Sequence, residues 1–549
     1  MPLPKRFLLA IASLVALNAQ AAPALLENIH GYTLAGSKLV RFDAIVFNLG
    51  KVMQTGDAKT LEKRFPDAQK TDGHGKTVLP GLIDAHGHVL DLGFESMQVD
   101  LTDTTSLAQT QDIIRAYAQG NPQHAWIQGG GWNQVKWQLG RFPTAAELDA
   151  ATGDKPAMLW RIDGHAAWLN TRALQAAGIT AETKDPQGGR IERDEHGNPS
   201  GVLVDKAMDL AEHALPPASD AERHQAMAAA LHHMNSVGLT SVGDAGDTAA
   251  DIALYKSYAD AGELSLRVYA MIRDTGDDFR RLSPAGPLLG YGNDRLTVRA
   301  VKLFADGALG SRGAALLAPY SDKPDQKGLL FMSDAEMEAK VETALKAGYQ
   351  VNVHAIGDAA NRQVLDAFEA AYKKVGGRDL RNRIEHAQVV ALSDIPRFKQ
   401  LNIIASMQPT HATSDMNMAE DRIGAERLKG AYAWRSMLKQ GTIVAGGSDF
   451  PVESDNPFFG IHAAVTRMDQ EGKPAGGWHP EQKMTLLEAF RAFTLDAAYA
   501  QHAEHTQGSL EAGKWADFIV IDQDLFKIAP ADIWRIKVEQ TWVGGKRVF

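Results

Sequence analysis

The residues best suited to metal chemistry in this chain are His86 and His88, which stand at the end of a predicted strand over Leu82–His88. Alternate side chains of a strand share a face, so both imidazoles are expected to point the same way. Two imidazoles on one face suit a zinc-sized cation. The pair is weak evidence by itself, because a turn histidine beside a core histidine has the same spacing.

Three more potential ligands follow predicted strands: His354 ends VNVH, His386 ends RIEH and Asp449 ends TIVAGGSD. Four imidazoles and a carboxylate at one place would be costly to bury unless a cation oriented them. Lys302 lies in the apolar run TVRAVKLFADG and is also costly to bury. It would either pair with Asp306 or carry a carbamate that bridges two metals.

Eight predicted strands alternate with amphipathic stretches, which is the pattern of a (β/α)8 barrel. They are Leu82–His88, Leu239–Asp244, Leu266–Ile272, Thr297–Phe304, Gln350–His354, Asn382–His386, Asn402–Met407 and Thr442–Ser448. Barrel active sites lie at the carboxyl ends of the strands, where these candidate ligands stand. The long gap between the first two strands predicts an insertion over about residues 90–236.

Both ends of the chain contain short predicted strands separated by turn residues. We therefore expect residues 22–80 and 501–549 to pair into one small sheet domain beside a barrel over residues 81–500.

The first 21 residues have the pattern of a secretory signal peptide. Lys5 and Arg6 precede the apolar run Phe7–Leu17, and Ala19–Ala21 matches a small-x-small cleavage site. The run is too short to span a bilayer. We expect cleavage after about Ala21, export to a bacterial periplasm and no membrane anchor. The alternative is a buried or membrane-anchoring N-terminal helix.

The composition excludes several classes of protein. The 549 residues include no cysteine, so disulfides, thiolate nucleophiles and cysteine-ligated zinc are excluded. The formal net charge of −10 disfavours a nucleic-acid partner, because an acidic surface repels phosphate groups.

Six segments together resemble the YtcJ-like branch of the amidohydrolase superfamily (amidohydrolase family 3). They are LPGLIDAHGH, DGHAAWLN, GGRIERD, KLFADGALGSR, HAIGD and GSLEAGKWADFIVID, and the resemblance extends from about Asn28 to the C-terminus. It implies a distorted barrel beside a small β-sandwich formed by both termini. The residues that match the family's metal positions are His86, His88, Lys302, His354, His386 and Asp449. Zinc is the expected cation, with one or two ions and carbamylation of Lys302 left open.

The expected mechanism follows from these parts. A divalent cation lowers the pKa of bound water from about 15.7 towards 7 and so supplies hydroxide at neutral pH. Asp449 would take the water's proton and pass it to the leaving group. His386 is expected to be a ligand, although it could instead donate to the oxyanion.

Four residues are expected to bind substrate. The family resemblance implies that Trp132 and His165, both in the insertion, line the substrate pocket. Trp132 could instead be a packed tryptophan in a tight turn. Arg312 could hold a carboxylate or amide oxygen of the substrate, or pair with Asp306. His411 follows the seventh strand and is similarly placed.

We therefore expect an exported metal-dependent amidohydrolase that cleaves a non-peptide C–N bond of a small-molecule amide. The alternatives are an ester or lactone hydrolase that uses the same site, and a non-catalytic periplasmic regulator. A glycosidase would need two carboxylates, and Glu385 is expected to alternate away from His386. The resemblance also allows a homodimer.

Overall fold

A barrel of eight parallel strands forms the centre of this computed structural model, which describes residues 22–161, 166–186 and 189–549. The strands, labelled β1 to β8 along the chain, are Leu82–Gly87, Leu239–Asp247, Arg267–Arg273, Leu296–Phe304, Gln350–Ala355, Arg383–His386, Ile404–Met407 and Val444–Gly446. Each strand pairs in parallel with the next along the chain. The predicted (β/α)8 fold is confirmed, with small shifts at the strand ends.

The barrel is distorted where β8 meets β1. β8 has only three residues, and the two strands are joined mainly by the buried carboxylate of Asp84. This carboxylate accepts hydrogen bonds from the amide and hydroxyl of Ser448, the hydroxyl at 2.6 Å. The amide of Asp449 donates to the carbonyl of His86 at 2.7 Å. These contacts fix the end of β8 against the end of β1, where two predicted ligands stand.

Helices surround the barrel and bury their apolar faces against it. They are Val89–Ser96, Asp220–Ser236, Ala249–Ala261, Asp277–Leu282, Tyr291–Asp294, Asp334–Lys346, Asp358–Val375, Ile395–Leu401, Pro409–Asp415, Ala419–Leu428, Trp434–Lys439, Pro457–Thr466, Leu486–Arg491 and Ala497–Ala500. Several begin with a capping box, in which a serine or threonine and a glutamate or aspartate three residues later satisfy the first free amides.

Both ends of the chain form one seven-stranded sheet. Its strands in spatial order are Lys546–Arg547, Val538–Val543, Phe518–Ile521, Gln69–Pro80, Ala24–Ala35, Lys38–Asn48 and Lys51–Gly56. The sheet curls so that the amide of Val52, in its last strand, donates to the carbonyl of Lys514 at 2.9 Å. An apolar core that includes Phe47 and Phe518 fills the interior, and the helix Ala58–Arg64 covers a second apolar cluster. This curled sheet is the small β-domain that the resemblance implied.

The insertion between β1 and β2 has a six-stranded sheet of its own. Its strands in spatial order are Gly189–Arg193, Pro199–Asp205, Ala166–Leu169, Ala157–Arg161, Ile127–Trp132 and Val99–Asp100. Its helices are Leu107–Gly120, Ala145–Thr152, Thr171–Ala176 and Asp209–Glu212. Two apolar clusters pack against this sheet, so the insertion has its own core.

The predicted signal peptide, residues 1–21, lies outside the described residues. Within the described ranges, no helix combines the length and the apolar composition needed to cross a bilayer.

Candidate metal centre

The first and last barrel strands bring two histidines to one carboxylate. His86, near the end of β1, is fully buried, and His88 caps the helix Val89–Ser96 and keeps 24% of its side chain exposed. Oδ1 of Asp449 lies 3.4 Å from Nε2 of His86 and 3.2 Å from Nε2 of His88. The structure therefore brings these three predicted ligands together around one carboxylate oxygen.

Lys302 on β4 reaches the same centre. Its Nζ lies 2.9 Å from Nε2 of His86, and the lysine is almost fully buried. Burial lowers its pKa to about 8. The alternative pairing of Lys302 with Asp306 is wrong, because the Asp306 carboxylate instead accepts hydrogen bonds from three backbone amides. These are the amides of Ala315, Ile356 and Gly357.

Two further imidazoles come from β5 and β6. The ring centres of His354 and His386 are 4.5 Å apart, and the His386 ring centre is 5.0 Å from that of His86. Nε2 of His354 is buried and has no hydrogen-bond partner among the described residues; Oδ1 of Asp306 lies 3.7 Å away. Such an unpaired buried nitrogen is costly unless another group, such as a cation, occupies its lone pair.

The backbone is strained at two of these positions. His386 has φ = 75° and Asp449 has φ = 65°, both in the left-handed region that non-glycine residues rarely adopt. Strain of this kind persists only where the surrounding structure enforces it, and it clusters at functional sites. Here it turns both side chains towards the shared centre.

The donor set fits a divalent cation. One ligand atom each from His86, His386 and Asp449 lies within 4.8 Å of the others. Neutral imidazoles and a carboxylate are the ligands that zinc and related metals take. His88, His354 and Lys302 adjoin this trio, so the six predicted positions converge at one mouth of the barrel.

The electrostatics of the site keep the ligands in the form that binds metals. Burial, and next the charge of Lys302, lower the pKa of His86 to about 4 and that of His354 to about 3. Both imidazoles therefore stay neutral at physiological pH. Burial tends to raise the pKa of Asp449, but the hydrogen bond from His88 and the electrostatic influence of the surrounding imidazole rings outweigh it and hold this pKa well below 3.8. Asp449 is thus a carboxylate.

Glu385 does not alternate away from the site as expected. Its Oε2 lies 2.6 Å from Nδ1 of His86, and both side chains are fully buried. Regular alternation places Glu385 and Arg383 inside the barrel, and the left-handed backbone of His386 breaks that alternation and turns its imidazole to the mouth. The expectation failed because it assumed an extended backbone as far as His386.

The structure contradicts a pocket role for Trp132. Its ring is fully buried in the core of the insertion, where its Nε1 donates to the carbonyl of Leu159 at 2.7 Å. It packs against the rings of Trp137 and Trp168, at centre distances of 6.1 and 6.2 Å. The alternative, a packed tryptophan, is what the structure contains. His165, the other predicted pocket residue of the insertion, lies outside the described residues.

The two remaining predicted substrate residues differ in position. Arg312 forms an ion pair with Asp322 at 2.8 Å rather than with Asp306, so that alternative is wrong. His411 adjoins the metal centre: its Nε2 lies 3.7 Å from Oδ2 of Asp449 and has no hydrogen-bond partner in the described part of the chain. Its ring stacks near that of His386, with centres 5.8 Å apart.

Sequence reasoning missed two side chains that orient the histidines. They are Glu385, bonded to His86, and Gln408, whose Oε1 lies 2.9 Å from Nδ1 of His386. The strand RIEH did contain a signal, because two charged residues in a short buried strand need partners inside the protein. Gln408 directly follows β7 and carried no comparable signal.

A cleft of about 450 Å³ lies between the insertion and the barrel mouth. Its lining includes Gly130 and Trp160 from the insertion and Asp91 and Pro451 from the barrel. Pro451 is two residues from Asp449 in the chain, although none of the six predicted ligands is itself among the residues that line the cleft.

A (β/α)8 barrel with this ligand set at the carboxyl ends of its strands defines a metal-dependent hydrolase. A sequence model of the amidohydrolase family matches residues 69–549, and the chain belongs to this family.

Three relatives align over most of this chain. It is 32% identical over 520 residues to the protein YtcJ of Bacillus subtilis, covering 93% of this chain and 96% of that protein. It is 34% identical over 527 residues to the protein LONG AFTER FAR-RED 3 of Arabidopsis thaliana, covering 93% and 89%. It is 32% identical over 528 residues to the N-substituted formamide deformylase of Arthrobacter pascens, covering 91% and 94%.

A solved structure has the same fold. The crystal structure of an uncharacterized metal-dependent hydrolase from Pyrococcus horikoshii superposes with a TM-score of 0.79 at 28% identity, covering 92% of this chain and 99% of that one.

Proposed function

We propose that this protein hydrolyses the C–N bond of small-molecule amides. The observation that carries the proposal is the convergence of imidazoles, a buried lysine and the Asp449 carboxylate at one barrel mouth. A family relative named N-substituted formamide deformylase supports an amide bond as the target, because deformylation of such a compound breaks a C–N bond.

The residues that would hold the cation are those identified above. They are His86, His88, Lys302, His354, His386 and Asp449. We propose that the cation is zinc, as one ion or two. A carbamate on Lys302 would be a ligand of the second ion. The cation would supply Lewis acidity and lower the pKa of a water that it binds.

Asp449 has the position required of a general base. Its Oδ1 faces His86 and His88, whereas its Oδ2 lies 3.7 Å from Nε2 of His411, a nitrogen without a hydrogen-bond partner among the described residues. The second oxygen is therefore free to accept a proton from water and to return it to the leaving nitrogen. His411 is suited to donate a hydrogen bond to the carbonyl oxygen as negative charge develops there.

The substrate would enter through the cleft between the insertion and the barrel. Its lining includes the half-buried ring of Trp160, which offers an apolar surface, and the backbone of Gly130. Binding in the cleft would place the scissile bond near the loop that joins Asp449 to Pro451. We also propose that the protein is exported after cleavage at about Ala21, where it would meet substrates outside the cytoplasm.

A panel of amides, esters and lactones tests the reaction. The zinc-loaded protein is expected to release amine from N-substituted amides, measured by a primary-amine assay. Hydrolysis of esters or lactones alone would support the alternative activity. A metal-loaded protein that leaves every compound intact would contradict the proposal and favour the non-catalytic alternative. N-terminal sequencing of secreted material tests export, and a start at Met1 would contradict it.

A further inference from the structure

Two of the histidines at the metal centre have partners of different charge. Nδ1 of His86 lies 2.6 Å from the carboxylate of Glu385, and Nδ1 of His386 lies 2.9 Å from the amide oxygen of Gln408. All four side chains are at least nine-tenths buried. Apart from this difference in charge, the two contacts have the same form.

Each contact fixes which ring nitrogen carries the proton. An ionised carboxylate can only accept a hydrogen bond, so Nδ1 of His86 must donate to Glu385. The Gln408 amide nitrogen points to the carbonyl of Ser406 at 3.4 Å, which leaves its oxygen to accept from His386. In both rings Nε2 therefore keeps its lone pair. In His86 this atom lies 2.9 Å from Nζ of Lys302 and 3.4 Å from Oδ1 of Asp449, at the centre where we propose that the cation binds.

A buried arginine lies against the carboxylate of Glu385. Its Oε1 lies 3.1 Å from Nε of Arg383, which has no exposed surface. Arg383 in turn donates to the carbonyl of Ala85 at 3.3 Å, and its guanidinium lies 5.9 Å from the centre of the Tyr269 ring. The arginine is thus fixed below the metal centre, where its charge offsets that of the carboxylate.

We infer that Glu385 is a positioning residue for the cation, and that its charge makes His86 a stronger ligand than His386. A carboxylate behind a ligating histidine orients the ring and raises its basicity, and loss of such a partner typically costs 10- to 100-fold in metal affinity. The neutral amide oxygen of Gln408 orients the ring of His386 but does not raise its basicity in the same way. The inference rests on the cation site proposed above.

Competition with a chromophoric chelator for Zn²⁺ measures the affinity without any substrate. For the full-length metal-stripped protein, Glu385→Gln is expected to raise the dissociation constant of zinc about 10- to 100-fold. Gln408→Leu is expected to raise it by a smaller factor, because a neutral partner is lost. The matched control is Glu504→Gln, which removes a carboxylate paired with Arg381 at 2.7 Å, away from any ligand histidine. This control should bind zinc like the wild type.

A second variant separates metal binding from folding. Glu385→Gln leaves Arg383 without a charged partner and could unfold the barrel, whereas Arg383→Met combined with Glu385→Gln removes both buried charges together. Thermal unfolding of the metal-free proteins identifies which variants fold. A folded variant at Glu385 that binds zinc within twofold of the wild type would overturn the inference and leave the proposed function intact. A wild-type protein that binds no divalent cation would overturn both.

Discussion

Nε2 of His411 lies 3.7 Å from Oδ2 of Asp449, a distance too long for a direct hydrogen bond. The histidine comes from the helix that follows β7 and the aspartate from the loop that follows β8. The other Asp449 oxygen already faces His86 and His88. The two atoms are close enough that one water molecule or substrate oxygen could contact both of them. This geometry supports the proton transfer that we propose for Asp449.

Replacing Asp449 is therefore expected to reduce turnover more strongly than it reduces metal binding. Asp449→Asn should lower kcat by about 10²- to 10⁴-fold, because it removes the proton acceptor. Part of the bound metal should remain, since the histidines are unchanged. Amine release and metal content, measured on the same preparation, check the prediction. Glu504→Gln, whose carboxylate pairs with Arg381 at 2.7 Å, is the control and should stay close to wild type. Near-full activity of Asp449→Asn would contradict the assignment.

The buried histidines make the stability of the metal-free protein depend on pH. Burial lowers the pKa of His354 to about 3, against 6.5 in an unfolded chain. As the pH falls below about 6.5, His354 becomes protonated in the unfolded chain but stays neutral in the folded protein. Acid therefore favours unfolding. The free energy of unfolding of the wild type, measured relative to that of His354→Asn, should be at its full value above pH 6.5. This difference should decrease by about 2 kcal/mol between pH 7 and pH 5.

Urea denaturation of the two metal-free proteins at several pH values measures this difference. The comparison with His354→Asn matters, because buried acids whose pKa is raised act in the opposite direction. The pKa of Asp84, for example, is raised to about 7 by burial, so its contribution to stability declines as the pH rises from about 3.8 through 7. A free-energy difference between wild type and variant that is constant across this range would contradict the prediction.

Two tryptophans of the insertion are expected to respond in different ways. Trp132 is fully buried in the core, whereas Trp160 is half-buried and lines the cleft. Trp132→Ala should lower the free energy of unfolding by about 3–5 kcal/mol, because it leaves a cavity. Trp160→Ala should instead raise KM with a smaller loss of stability. Urea denaturation and steady-state kinetics separate the two effects. A raised KM with an unchanged free energy of unfolding in Trp132→Ala would contradict the prediction and support a substrate-binding role for Trp132.

The sequence was sufficient to predict the barrel and the convergence of its ligands. His86 and His88 share a strand face, and His354, His386 and Asp449 stand at or just beyond strand ends, so the topology alone brings them to one mouth. Lys302 was identifiable because an isolated cation in an apolar strand needs a partner inside the protein.

The sequence could not predict the contacts that depend on exact backbone angles. Glu385 is expected to point away from His386 because strand alternation is assumed to continue through His386, whose φ of 75° ends it. The side of the insertion sheet on which Trp132 packs depends on strand order, which periodicity does not give. The hydrogen bond between His386, at the end of β6, and Gln408, which directly follows β7, has no local sequence pattern.

The metal content of the purified protein tests the central claim most directly. Mass spectrometry for metals should detect one or two zinc-type ions per chain in the wild type. Lys302→Ala should lose one ion if the lysine bridges two, and His86→Asn together with His386→Asn should lose all bound metal, because each removes a ligand of the closest trio. A wild-type protein that contains no divalent cation, even after incubation with Zn²⁺, would contradict the account.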